Sequence, residues 1–149
     1  MGFLNDMSLE MQIAIAAGIV FTAIAAIVLR FVYKKIPRRL RQKRFQKRWS
    51  ELQALCKTPE TWPEAVQKAD KLFDDALKQR SFKGKKMGER IVSAQRKLSD
   101  NDSVWFAHNL AKRTVEKPEK ALQEKEVKQA LVSFRQALRD LGALPNDKK

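Results

Sequence analysis

The chain has 149 residues, of which 31 are Lys or Arg and 17 are Asp or Glu, so its formal net charge at pH 7 is +14. This length allows one modest domain and an anchor. A single Cys and a single His exclude an intramolecular disulfide and argue against a zinc site or a Cys and His nucleophile pair. Five Gly and five Pro among many good helix formers favour an all-α fold.

An apolar run near the N-terminus predicts a membrane anchor. Residues 11–29 carry no charge, and extension of the run to Val32 gives 22 residues, or roughly 33 Å of helix. We predict a short extracytoplasmic tail over residues 1–10 and a transmembrane helix over residues 11–33. A cleaved signal peptide would need basic residues before the run, and none precedes Arg30. The competing interpretation is a buried core helix, which would be unusually long and apolar for so small a domain.

A block of basic residues follows this run, whereas the N-terminal flank is acidic. The positive-inside rule therefore predicts a single-pass protein of the plasma (inner) membrane with its N-terminus outside and its C-terminal domain in the cytoplasm. Residues 30–48 contain ten cations and no acid. The cations predicted to contact anionic lipid headgroups are Lys34, Lys35, Arg38, Arg39, Arg41, Lys43, Arg44, Lys47 and Arg48.

Small residues recur every fourth position within the apolar run. Such a stripe lets two helices approach closely and gives a candidate helix-dimer face, so the chain is a candidate homo-oligomer. The stripe consists of Ala14, Gly18, Thr22 and Ala26. Alanine is common elsewhere in the run, so chance is the alternative explanation.

Residues 34–57 predict a basic amphipathic juxtamembrane helix, which a bend or restart at Pro37 would separate from the anchor. One side of it is apolar and the other sides are cationic, which is typical of a helix that lies on anionic headgroups. The apolar positions are Phe45, Trp49, Leu52 and Cys56. Nucleic acid is the competing partner for such a cluster.

Residues 58–144 predict a compact four-helix cytoplasmic bundle. Its first helix, over residues 62–79, would begin with a capping box in which Thr61 is the N-cap and Glu64 the third helical residue. Its predicted apolar stripe is Val66, Ala69, Leu72, Phe73, Ala76 and Leu77.

Three more bundle helices are predicted, two of them with residues typical of a helix start or end. They cover residues 87–98, residues 103–115 after a cap in Asn101-Asp102-Ser103, and residues 123–141 before Gly142 as the helix-ending residue. The tail over residues 145–149 is expected to be flexible.

No motif demands an active site, a metal or a cofactor, and we predict that the protein is not an enzyme. His108 lies beside Trp105 and is interpreted as structural rather than catalytic, and acids such as Asp70, Asp74, Asp75 and Glu89 form no evident pair. A basic turn before the second bundle helix is a candidate anion contact, although it lacks the spacing of a phosphate-binding loop. Its residues are Lys83, Lys85, Lys86 and Arg90, and the alternative is a solvated turn in which Gly88 allows close helix packing.

Three segments carry a resemblance: GKKMGERI at residues 84–91, WFAH at residues 105–108 and ALRDLG at residues 137–142. Together they resemble small uncharacterised bacterial membrane proteins with a cytoplasmic helical bundle, over about residues 60–144. Some of those proteins are similar to the HEPN superfamily, helical bundles that include ribonucleases and nucleotide-binding proteins. The resemblance implies a bundle fold.

The HEPN nuclease motif, an Arg followed by four to six residues and a His, is not present. The positions that would supply the Arg before His108 are Asn101, Asp102 and Ser103. The resemblance therefore argues against that catalysis.

Two functions follow from these patterns. The first is a membrane-tethered, non-enzymatic interaction or adaptor module that binds lipid headgroups and another protein. The alternative is a membrane-anchored HEPN-like domain that binds a nucleotide or RNA through Lys83, Lys85, Lys86, Arg90, Lys112 and Arg113.

Overall fold

The computed structural model describes residues 8–146, with the side chains of residues 32–41 left out. This part of the chain contains helices and no strand, which confirms the all-α prediction for it. Each predicted tail, residues 1–10 and residues 145–149, lies partly outside it. The α-helices are α1 (Leu9–Ala54), α2 (Trp62–Gln79), α3 (Met87–Ala94), α4 (Asn101–Glu116) and α5 (Glu124–Asp140), with short 3-10 helices at Leu55–Lys57, Pro59–Thr61 and Gln95–Lys97.

The chain divides into two compact units, Met1–Leu40 and Arg41–Lys149. In the first, Leu9–Phe31 is a 23-residue stretch of mean hydropathy 2.4, long and apolar enough to cross a membrane, and none of it is buried in the protein. Phe21, for example, is 74% exposed. A continuous apolar surface of this extent needs a covering other than water.

The second unit is a helical bundle whose core also includes the end of α1. Phe45, Trp49 and Leu52 are buried together with the apolar faces of α2 to α5. The apolar side of the predicted juxtamembrane helix therefore faces the bundle core rather than lipid. The compact unit begins at Arg41, seventeen residues before the predicted domain boundary, and the backbone stays helical at Pro37, so the predicted restart there is not observed.

Helix α2 has the predicted bounds and the predicted buried stripe, but its start differs from the prediction. Thr61 has a helical backbone conformation and makes no side-chain cap. Its hydroxyl instead lies within hydrogen-bonding distance of the carbonyl oxygens of Leu55 and Thr58. The predicted capping box is wrong because the residue is used to tie together the two 3-10 helices before α2.

The remaining helices match their predicted positions with changed ends. Helix α3 stops at Ala94 and continues as a 3-10 helix, whereas α4 starts earlier than predicted, after the N-cap Asp100. The Asp100 carboxylate accepts a 2.9 Å hydrogen bond from the backbone N–H of Ser103. Gly142 has the positive φ of +68° that a helix-ending residue adopts, as predicted.

Contacts between helices fix which ends of the bundle coincide. Arg48 contacts Asp75, and Trp62 at the start of α2 donates to the carbonyl oxygen of Cys56 just after α1, so the end of α1 runs antiparallel to α2. We call the end of the second unit at which the chain arrives from residue 40 the Arg41 end. The C-terminus of α2 and residues 80–86, which we call the basic loop, lie at that end.

Helices α4 and α5 complete the arrangement. Gln67 bonds to Thr114 and Asp70 to His108, so α4 is antiparallel to α2 and starts at the Arg41 end. Ser99 bonds to the Asp140 carboxylate, which places the end of α5 there too. The opposite end, which we call the far end, holds residues 55–61 and 117–123.

Candidate functional site

The basic loop carries exposed lysines on a tightly constrained backbone. Lys83, Lys85 and Lys86 are exposed, and Gly84 has φ +151°. A Cβ at Gly84 would lie 2.7 Å from the backbone nitrogen of Arg90. The loop therefore passes so close to the start of α3 that only glycine fits at this position.

Arg90 is a buried residue that fixes the basic loop through hydrogen bonds, and it does not reach an external anion. It is only 7% exposed, and its guanidinium bonds to the Asp74 carboxylate at 2.6 Å and 2.8 Å. The same guanidinium donates to the carbonyl oxygens of Gly84, at 2.8 Å, and Lys85, at 3.2 Å. The prediction of Arg90 as an anion contact is corrected by this geometry, since its donors are used within the protein.

One backbone N–H just before α3 also has an acceptor within the protein. The Glu89 carboxylate accepts a 2.7 Å hydrogen bond from the backbone N–H of Lys85. A Cβ at Gly88 would lie 3.3 Å from the Trp105 ring, which confirms that Gly88 permits close packing of α3 against α4. A protein carboxylate thus occupies one of the N–H groups that a bound anion would use.

The six cations of the nucleic-acid hypothesis do not form one surface. Lys112 and Arg113 lie toward the far end, whereas the basic loop lies at the Arg41 end. Arg113 bonds to Glu126 at 2.8 Å, and this bond is the main reason that the pKa of Glu126 lies below its ordinary value. Arg90 and Arg113 both bond to acids within the protein. Only the lysines therefore remain as candidate phosphate contacts for the nucleic-acid hypothesis.

The cations of α1 whose side chains are described include exposed residues and one that bonds to α2. Lys43 and Arg44 are exposed, and Lys47 is an exposed residue 4.0 Å from Glu51. Arg48 bonds to Asp75 at 2.7 Å and so docks α1 onto α2 instead of facing a headgroup. The predicted contacts whose side chains fall outside the description are Lys34, Lys35, Arg38, Arg39 and Arg41.

The predicted helix-dimer face is exposed along its length. A Cβ at Gly18 would meet no atom within 4 Å, and the Thr22 hydroxyl bonds to the carbonyl oxygen of Ile19 at 2.8 Å. The stripe has room for a second helix, and dimerisation stays a prediction.

His108 pairs with Asp70, a partner that the sequence pattern does not identify. Its Nδ1 lies 2.8 Å from Oδ1 of Asp70, across the contact between α4 and α2, and the histidine is 8% exposed. Burial raises the pKa of Asp70 despite the opposing hydrogen bond from His108. Asp70 also borders a surface groove of about 330 Å³. The pair joins α4 to α2, and the structural role of His108 stays a prediction.

Asp70 and Asp74 had a signal in the sequence. Both fall in register with the buried stripe of α2, four and eight residues after Val66. Acids at such positions need buried partners. The sequence does not identify those partners, because His108 is 38 residues away from Asp70 and Arg90 is 16 residues away from Asp74.

The raised pKa of Asp70 gives a testable pH dependence. The folded state binds more protons than the unfolded state from the ordinary value of 3.8 up to the raised pKa, so this group's contribution to stability falls as pH rises through that window. Asp70→Asn should remove this fall while it keeps an oxygen toward His108. Urea denaturation of wild type and variant across a pH series measures the difference.

Asp100→Asn is the matched control with the opposite sign. Hydrogen bonds from Ser103 lower the pKa of Asp100, so its contribution is present above 3.8 and is lost as pH falls through the lowered pKa. Identical pH profiles for the two variants would contradict the assigned role of Asp70.

Cys56 has an environment typical of a structural thiol. Its Sγ lies 3.5 Å from the carbonyl oxygen of Leu52, and burial raises the pKa of the thiol. Within the described residues, no three or more His, Cys, Asp or Glu side chains are grouped as metal ligands would be.

No protein family, curated protein or solved structure was found to match the chain.

Proposed function

We propose that the chain is a single-pass bacterial inner-membrane protein that holds a basic helical bundle in the cytoplasm as a non-enzymatic interaction module. The observation that carries the proposal is the apolar stretch Leu9–Phe31, which is wholly exposed in the first unit. Nine cations in residues 34–48 follow it, and by the positive-inside rule they favour a cytoplasmic C-terminal side.

The bundle supports a role in binding rather than catalysis. Its polar groups with specific geometry join helices to one another: His108 with Asp70, Arg90 with Asp74, and Arg113 with Glu126. These pairs account for the side chains that would otherwise suggest chemistry. What remains outward is a charged surface that suits recognition of a partner.

Insertion and orientation are tested on the full-length protein in its native membranes. We expect it to resist extraction by alkaline carbonate, and we expect a cysteine introduced at Lys57, with Cys56 replaced by Ala, to react with a membrane-impermeant maleimide only after the cells are opened. Release by carbonate would overturn the anchor. Labelling in intact cells would overturn the cytoplasmic placement.

The nature of the partner is tested by crosslinking in the same membranes. We expect one protein to be captured reproducibly, with RNA quantified in parallel. RNA retained at moderate salt without a protein partner would instead favour the HEPN-like alternative, since phosphate contacts weaken steeply with salt.

A further inference from the structure

We propose that the basic loop, together with the exposed cations at the start of the bundle part of α1, forms a second membrane contact that binds anionic lipid headgroups. The bundle would then be held at the membrane by its surface as well as by its anchor. This inference rests on the proposed membrane insertion and adds an orientation of the bundle to it.

The basic loop lies at the Arg41 end of the second unit. The antiparallel pairing of α1 with α2, fixed by the Arg48–Asp75 contact, brings the basic loop to the end that also carries Lys43 and Arg44. Arg80 is close by, since its Nη2 lies 2.7 Å from where a Cβ on Gly142 would stand. Exposed cations from distant positions in the sequence thus meet at the Arg41 end.

The basic loop itself carries positive charge only. Residues 80–86 contain four cations and no acid, while the acids at the same end, Asp100, Asp102 and Asp140, belong to the neighbouring helix ends. The ion pairs among described side chains include neither Lys83 nor Lys85 nor Lys86. The positive charge of the loop is therefore left for an external anion.

The backbone of the basic loop is fixed by hydrogen bonds from within the protein. Arg90 bonds to two of its carbonyl oxygens, and Glu89 bonds to one of its N–H groups. A fixed backbone reduces the entropy lost when its side chains engage a surface.

The length of the tether favours anionic lipid headgroups as the ligand of the basic loop. Ten residues separate Phe31 from the start of the described bundle side chains at Gln42, and a chain of that length spans at most about 35 Å. The tether keeps headgroups at a high effective concentration near the Arg41 end. Each lysine near an anionic surface contributes about 1 kcal/mol, which is about a fivefold change in the ratio of docked to undocked bundle.

The test uses full-length protein in nanodiscs of phosphatidylcholine alone or with one third phosphatidylglycerol. A donor dye is placed at Gln79→Cys, in a Cys56→Ala background, and acceptor dyes are placed on lipid headgroups. We expect higher energy transfer with phosphatidylglycerol and a decrease with added salt, because the attraction is electrostatic.

Two triple variants with the same change in net charge separate the loop from the overall charge. Lys83→Gln, Lys85→Gln and Lys86→Gln together should lower the ratio of docked to undocked bundle by about 100-fold. The control triple changes Lys57, Lys117 and Lys125, which are exposed at the far end, to Gln and should leave the ratio unchanged.

Several results would overturn the inference. Equal energy transfer in the two lipids, or equal effects of the two triple variants, would exclude a headgroup contact by the loop. Release by inorganic phosphate, beyond that caused by chloride at equal ionic strength, would assign an isolated phosphate site. Displacement by an RNA oligonucleotide that binds the wild type but not the loop variant would assign the surface to nucleic acid. Protein that never enters the nanodisc overturns the proposed function, and the inference with it.

Discussion

Arg90→Met should lower the free energy of unfolding of the bundle by about 3 kcal/mol, the lower end of what breaking a buried ion pair costs. The substitution leaves the mostly buried Asp74 carboxylate with Lys78 as its remaining ion-pair partner, 2.6 Å away. It also removes the donors to the carbonyl oxygens of Gly84 and Lys85. Urea denaturation in mild detergent, followed by fluorescence of the three Trp residues, measures the change, since all three lie in the second unit.

Lys78→Met is the matched control, because Lys78 binds the same carboxylate from an exposed position. Its loss should cost less than about 1 kcal/mol. The double variant Asp74→Leu, Arg90→Met should recover much of the lost stability, since an apolar pair leaves no buried charge uncompensated. Equal effects of Arg90→Met and Lys78→Met would contradict the assignment of Arg90 as the buried support of the loop.

The same substitution separates stability from membrane contact. Arg90→Met keeps every lysine of the basic loop but removes what fixes its backbone. Amide hydrogen exchange should therefore become faster in residues 83–86, while the attraction to anionic lipid should persist in weakened form. The lysine triple variant should do the reverse, with unchanged exchange and lost attraction.

The sequence predicted the fold well where one helix face alone carries the information. The stripe of α2, from Val66 to Leu77, has the period of a helix with one buried side, and all its predicted apolar members are buried. Helix α5 and its end at Gly142 follow from the same pattern and from the conformational freedom of glycine.

The partners of buried polar groups were not predictable in this way. Periodicity marks Asp70 and Asp74 as acids on a buried face, but it does not show which cation will meet them. The choice of His108 and Arg90 depends on how α3 and α4 cross α2. For the same reason, Arg90 and Arg113 resembled surface cations in the sequence, although each bonds to an acid within the bundle.

The end of α1 was misread because an apolar face can be covered by lipid or by protein. Phe45, Trp49 and Leu52 have the spacing of a helix that lies on a membrane, and the cations around them suit that interpretation. The break at Thr58-Pro59 indicated a domain boundary. The chain instead turns there and folds α2 back onto α1, so the turn connects two parts of one core.

Leu52→Ala tests whether this end of α1 belongs to the bundle. Leu52 is 2% exposed, and its truncation should lower the free energy of unfolding by about 2–5 kcal/mol through lost burial and the cavity that remains. The same urea denaturation of full-length protein measures it.

Glu51→Ala is the matched control, one residue away on the exposed side of the same helix. It removes only an exposed contact with Lys47 and should change stability by less than about 0.5 kcal/mol. If Leu52→Ala were equally mild, the assignment of the end of α1 to the bundle core would be wrong. A large effect of Leu52→Ala alone would show that the end of α1 belongs to the core of the bundle.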